Sequence, residues 1–265
     1  MKSILINILT ILIPLYVVIC LVIYFFQERL IFFPEKLKQD FVFGFPQPFE
    51  ELTVRSADDN SLHGILFKAK NPKGLVFYLH GNAGSLNSWG DVAETYTSLD
   101  YDVFLPDYRG YGKSEGKITS ESQFISDLQL MYDQVKSRYD EKNIVVLGYS
   151  IGSGPAAAIA AANNPRLLIL QAPYYSMTDM LKHTYPFLPP FLLKYKFDTN
   201  RYLDACKMPV VLFHGEHDEV IYYGSSVKLK AHLKHSDTLI TLYRQTHNGI
   251  TENLQYQQAL AGILQ

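Results

Sequence analysis

The chain has 265 residues, of which 48% are hydrophobic and 19% charged, and its net charge is −2. That length holds one large domain, or one domain with an appendage, and the composition excludes a disordered chain. The near-neutral charge gives a nucleic acid nothing to bind. With Cys20 in the apolar N-terminal segment, the folded part keeps one thiol, Cys206, and no internal disulfide, so nothing points to an oxidising compartment.

Residues 4–26 are almost wholly apolar. As a helix they would span roughly 35 Å, enough for a bilayer core of about 30 Å. Asn7, Thr10 and Pro14 are compatible with that, because neighbouring groups can satisfy them in a membrane. A secretory signal has a shorter apolar run and a small-residue cleavage site, and neither is present. Val18 and Ile19 before Cys20 are too large for a lipoprotein cleavage box. Residues 1–29 are therefore expected to be an uncleaved, single-pass membrane anchor. Lys2 stands before the span, and Arg29, Lys36 and Lys38 stand after it. That count leans, by a charge or two, toward a cytoplasmic body. Residues 30–49, with Leu30-Ile-Phe-Phe-Pro34, Pro46 and Pro48, are expected to be a linker packed on the body.

From residue 50 onward the pattern changes to short strands alternating with helices. Strands are expected over 51–56 and 61–67 around the turn Ala57-Asp-Asp-Asn60, then over 74–79, 102–105, 144–148, 167–170, 210–213 and 238–242. Helices are expected through 93–98 and over 121–139, 154–162, 222–233 and 251–264. Residues 174–208 look irregular, with an apolar cluster of Phe187, Leu188, Phe191, Leu192 and Leu193. The alternation predicts an α/β fold, a mostly parallel sheet flanked by helices with an antiparallel first pair. It also sets residues 50–265 apart as one domain carrying a small lid insert at 175–208.

In such a sheet, ligands bind beyond the carboxyl ends of the strands. The strand at 144–148 runs into Gly148-x-Ser150-x-Gly152 and then a small-residue helix. This strand–turn–helix context is what a nucleophile elbow needs. A serine that only caps the helix is the alternative. The strand at 210–213 is followed by His214-Gly-Glu-His-Asp218, and the strand at 238–242 by Thr246-His247-Asn248. One sheet edge thus offers a hydroxyl, a carboxylate and an imidazole in the chain order Ser, Asp, His. A serine hydroxyl needs a base, histidine titrates in the useful range, and a carboxylate orients the imidazole. Glu216 and Glu219 are alternatives to Asp218. The developing oxyanion needs N–H donors. Ile151 supplies one, and Asn82, after the 74–79 strand, is assigned the second. His80 is read as a support for that loop. His214 and His217 are read as ordinary polar residues rather than a metal pair. Gly112-Lys113-Ser114 fails as a phosphate loop, because Asp107 stands where its first glycine belongs.

Together, His80-Gly-Asn-Ala-Gly84, Asp107-Tyr-Arg-Gly-Tyr-Gly-Lys-Ser-Glu-Gly116, Gly148-Tyr-Ser-Ile-Gly152, His214-Gly-Glu-His-Asp218 and Thr246-His-Asn248 cover nearly the whole body. With the N-terminal anchor, the chain resembles the α/β-hydrolase superfamily, and within it the membrane-anchored, depalmitoylase-like α/β-hydrolase-domain proteins. The resemblance implies an α/β-hydrolase fold with Ser150 as nucleophile, His247 as base, Asp218 as acid and the Asn82 and Ile151 amides as oxyanion hole. It settles reaction type better than substrate; the expected reaction is cleavage of an ester or thioester with an acyl chain, which needs no metal or cofactor. The chain departs from palmitoylated members in lacking a Cys-rich N-terminal tail. Its apolar lid residues could form an acyl-sized wall or a separate small core. Two readings compete: an amidase or peptidase on the same triad, and a non-catalytic, membrane-anchored interaction module.

Overall fold

A computed structural model describes residues 2–265. Eight strands form one sheet in the order β1-β2-β4-β3-β5-β6-β7-β8. They are β1 (Phe49–Arg55), β2 (Ser61–Phe67), β3 (Gly74–Leu79), β4 (Tyr101–Pro106), β5 (Ile144–Tyr149), β6 (Leu167–Gln171), β7 (Val210–Gly215) and β8 (Thr238–Leu242). β2 pairs antiparallel with both β1 and β4, and the other neighbours are parallel. This is the α/β-hydrolase fold.

The central strands are apolar runs because helices cover both faces. Side chains alternate across the sheet: Leu75, Phe77 and Leu79 join one core, and Val76 and Tyr78 the other. The first core is closed by α4 (Glu121–Lys136), α5 (Ser153–Ala162), α7 (Thr199–Ala205) and α8 (Gly224–Leu229). The second lies under α2 (Leu86–Trp89), α3 (Ala93–Thr97) and α9 (Leu254–Ile263). Each fully buried Leu or Phe in these cores contributes about 1.5–3 kcal/mol. Ser120 and Asn253 fix the starts of α4 and α9 by accepting from the Gln123 and Tyr256 amides.

The insert is more regular than its sequence suggests. It holds α6 (Met177–Thr184), a single 3-10 turn at Pro190–Leu192, and α7. Ser176 caps α6 by accepting from the Asp179 amide. The helix is only two turns long, too short for its apolar periodicity to stand out among the prolines.

The N-terminal helix α1 runs from Lys2 to Ile31, beyond the apolar run. Its extra turns are held by the insert. Gln27 is buried; its amide nitrogen donates to the Leu192 carbonyl (3.0 Å), and its oxygen accepts from the Lys194 amide (2.8 Å). Glu28 accepts from Lys194 Nζ at 3.1 Å. Ile6–Ile31 is long and apolar enough to cross a membrane. Past α1 the chain crosses the body, with bridges Pro34–Gly84 and Lys36–Gly112.

Candidate active site

Ser150 sits between β5 and α5 with φ of +54°, in the left-handed region that non-glycine residues rarely occupy. Such a conformation costs on the order of 1–3 kcal/mol and persists only where the surroundings enforce it. Here they do. A Cβ on Gly148 would run into the Gly152 carbonyl, and one on Gly152 into the Leu79 carbonyl. The two glycines let strand and helix approach closely enough to hold the turn.

The loops after β7 and β8 converge on it. His247 Nε2 lies 2.9 Å from Ser150 Oγ, and His247 Nδ1 lies 2.8 Å from Asp218 Oδ2. All three residues are buried. Asp218 Oδ1 accepts from the Val220 and Ile221 amides at 2.9 and 2.8 Å. Burial pushes the Asp218 carboxyl up. Hydrogen bonds from His214, His247 and the Ile221 amide outweigh this and hold it well below the usual carboxylate range. Its stabilising effect is therefore complete above about pH 3.9 and is lost only as pH falls through the lower folded value.

The two alternative carboxylates have other partners. Glu219 accepts from the backbone N–H of His247 (3.2 Å), and Glu216 from that of Arg244 (3.1 Å). His214 and His217 diverge. His217 is exposed, but His214 is fully buried and sits behind Asp218. Its Nε2 is 2.9 Å from the Ile221 carbonyl and 3.3 Å from Asp218 Oδ2, and its Nδ1 is 2.7 Å from Ser226 Oγ. A proton on Nε2 satisfies both acceptors, which leaves Nδ1 to accept from Ser226. His214, expected from the sequence to be an ordinary polar residue, is instead packed against the Asp218 carboxylate and its loop. Its signal was its place inside β7, where a polar residue must have partners. Tyr149 contacts the site as well, its hydroxyl donating to the His247 carbonyl at 2.9 Å.

Asn82 and Ile151 lie beside Ser150 in the wall of one cavity. Ile151 is in the single 3-10 turn Ser150–Gly152, where first-turn N–H groups have no partner within the helix. The Asn82 side chain is wired to the end of α1. Its amide nitrogen donates to the Ile31 carbonyl, and its oxygen accepts from the Phe33 amide (3.3 Å) and the Tyr111 hydroxyl (3.0 Å).

His80 is fully buried, stacks on Tyr108 with ring centroids 4.0 Å apart, and has Nδ1 2.7 Å from the Gly81 carbonyl. Burial pushes its pKa down to about 4. The unfolded chain takes up this proton near pH 6.5, so stability is whole above that value and falls in acid. The expected loss between pH 7 and pH 5 is roughly 2 kcal/mol. Denaturant unfolding of the detergent-solubilised protein at the two pH values measures it. His80→Gln should remove most of that difference; an undiminished difference would contradict the assignment.

The cavity has a volume of about 650 Å³. Its wall is mostly apolar: Met177, Met180, Leu181, Phe187 and Leu188 from the insert, Val220 and Ile221 from the Asp218 loop, and Ile23, Leu30 and Ile31 from α1. The insert's apolar residues divide. Phe187 and Leu188 line the cavity, whereas Phe191 is exposed and Leu192 is buried away from it.

A protein-family model described as serine aminopeptidase, S33 (Hydrolase_4), matches residues 70–198, a stretch that contains Ser150. The chain has the α/β-hydrolase fold and is similar in sequence to proteins of the α/β-hydrolase superfamily. The hydrolase is 28% identical over 217 residues to protein bem46 of Schizosaccharomyces pombe, covering 75% of this chain and 72% of that one. It is 30% identical over 196 residues to lysophosphatidylserine lipase ABHD12 of Danio rerio, covering 65% of this chain and half (50%) of the zebrafish protein. It is 28% identical over 217 residues to alpha/beta hydrolase domain-containing protein 17C of Mus musculus, covering 78% of this chain and 64% of that one. The fold is similar to that of Pyrococcus furiosus esterase Pf2001, with a TM-score of 0.68 at 19% identity, over 88% of this chain and 97% of the esterase.

Proposed function

We propose that this hydrolase is a membrane-anchored esterase or thioesterase that removes an acyl chain through Ser150, His247 and Asp218. The observation that carries this reading is the apolar cavity that begins at Ser150 and is walled by the insert and by α1. His247 Nε2, at 2.9 Å, takes the Ser150 proton as Oγ attacks the substrate carbonyl carbon. The negative charge collects on the carbonyl oxygen, within reach of the Asn82 and Ile151 amides. Asp218 stabilises the imidazolium through Nδ1. The imidazolium returns its proton to the leaving alcohol or thiol, and the acyl group stays on Ser150 as an ester. Water, deprotonated by His247, then attacks that ester; His247 returns the same proton to Ser150 Oγ as the acyl–oxygen bond breaks, and the carboxylic acid leaves with the other proton of the water. The long, apolar α1 provides the anchor.

An aminopeptidase reading has a specific difficulty. Such an enzyme binds the free α-ammonium group of its substrate, and a carboxylate is the natural partner. Among the described residues the cavity wall has no Asp or Glu; its polar members are Gln27, Asn82, Ser150, Thr184 and the hydroxyls of Tyr174 and Tyr185. The test is a panel of p-nitrophenyl esters of increasing chain length set against aminoacyl p-nitroanilides. The reading predicts kcat/KM rising with chain length and little turnover of the anilides. Preference for the anilides would overturn it.

A further inference from the structure

The membrane helix is part of the cavity. Ile31, at its end, meets the site directly, because the Asn82 side chain donates to its carbonyl. Leu30, Gln27 and Ile23 continue the wall away from Ser150. Ile23 lies eight residues before Ile31, which is about 12 Å along a helix axis. The insert keeps pace with the helix over this distance and beyond. Leu192 and Lys194 are bonded to Gln27, and the Tyr16 hydroxyl donates to the Phe187 carbonyl at 2.6 Å. The far end of the cavity, at Ile23 and Phe187, therefore lies alongside the membrane-crossing part of α1. Residues 185–193, Tyr-Pro-Phe-Leu-Pro-Pro-Phe-Leu-Leu, carry no charge and expose Tyr185, Phe187 and Phe191. An uncharged aromatic tip beside an apolar helix suits hydrocarbon and the bilayer interface.

We propose that the last turns of the anchor helix form the acyl-chain wall of the active site, with Ile23 setting the chain length at its far end. The substrate is an amphiphile resident in the membrane. Its acyl chain passes from the leaflet into the gap between Ile23 and Phe187 and lies along Leu30 and Ile31, with its carbonyl at Ser150. This rests on the acyl-hydrolase reading above and adds to it that specificity is written in the membrane helix.

The test uses the full chain in detergent micelles with two probes, butyl and dodecyl fluorophosphonate, and reads the ratio of their labelling rates. Ile23→Trp fills the far end, where a dodecyl chain meets the indole ring and a butyl chain does not reach it, and should lower the dodecyl-to-butyl ratio about tenfold. Val22→Trp, on the exposed face of the same turn and outside the cavity wall, should leave the ratio at the wild-type value. If Ile23→Trp does not fold, Ile23→Ala serves: it opens the wall and should raise the rate of a hexadecyl probe relative to the dodecyl one. An unchanged ratio in the Ile23 variant overturns the helix wall while leaving the nucleophile reading intact, as does an equal change in Val22→Trp. Failure of both probes to label the wild-type protein overturns the nucleophile reading and this inference with it.

Discussion

His247→Ala is expected to lower kcat about a million-fold, and Asp218→Asn about ten-thousand-fold, with small changes in KM. The two differ for a structural reason. Among the described residues, His247 is the side chain within hydrogen-bond distance of Ser150 Oγ, so its loss leaves no base at the hydroxyl. The Asp218 carboxylate acts one step removed. Its Oδ1 is fixed by the Val220 and Ile221 amides, so an asparagine would keep its carbonyl oxygen there and turn its NH₂ toward His247. The imidazole would then carry its proton on Nε2 and donate to Ser150 instead of accepting from it. Geometry survives, and the tautomer is wrong. In the proposed mechanism the residues act as a unit, so Ser150→Ala combined with His247→Ala should be no slower than either alone. Steady-state hydrolysis of a p-nitrophenyl ester checks both points. Additive losses would mean that the residues do not form one relay.

Arg109→Met is expected to destabilise the protein by about 3–5 kcal/mol, the largest effect on stability foreseen for one substitution outside the site. Arg109 is buried and joins three elements. Its guanidinium donates to Asp127 on α4 at 2.6 and 2.8 Å, and to Asp58 in the β1–β2 turn at 2.8 Å from two nitrogens. Methionine fills similar space but leaves the largely buried Asp127 carboxylate without a partner. Asp58 is half exposed and can return to water, so Asp127 carries most of the cost. Asp127→Leu in the same background should recover part of the loss, because an apolar pair leaves no buried charge. Denaturant unfolding midpoints measure this; a loss below about 1 kcal/mol would show the cluster to be screened.

The fold could be read from the chain largely because each strand edge carries its own marker. The strands at 61–67, 74–79 and 238–242 match β2, β3 and β8 residue for residue, since Gly74 and the Ala57-Asp-Asp-Asn60 turn give sharp boundaries. Helix ends were less legible. The last helix begins at Leu254, where Asn253 caps it, not at residue 251. The segment expected to be one helix over 222–233 is α8 followed by a 3-10 turn at Lys230–His232. In the site, the residues at strand ends were visible because the sheet brings every such end to one edge. What tells Asp218 from Glu219 was not visible: loop curvature sends one carboxylate to the imidazole and the other to the His247 amide. The partnership of α1 with the insert was equally hidden. It depends on Gln27 and Leu192, 165 positions apart, and no local pattern encodes that contact.

Intact-mass analysis and peptide mapping after treatment with a fluorophosphonate show directly whether Ser150 is the nucleophile. One adduct is expected, on Ser150, abolished in Ser150→Ala and strongly slowed in His247→Ala. A wild-type chain that takes up no label, or takes it up at another residue, would contradict that assignment.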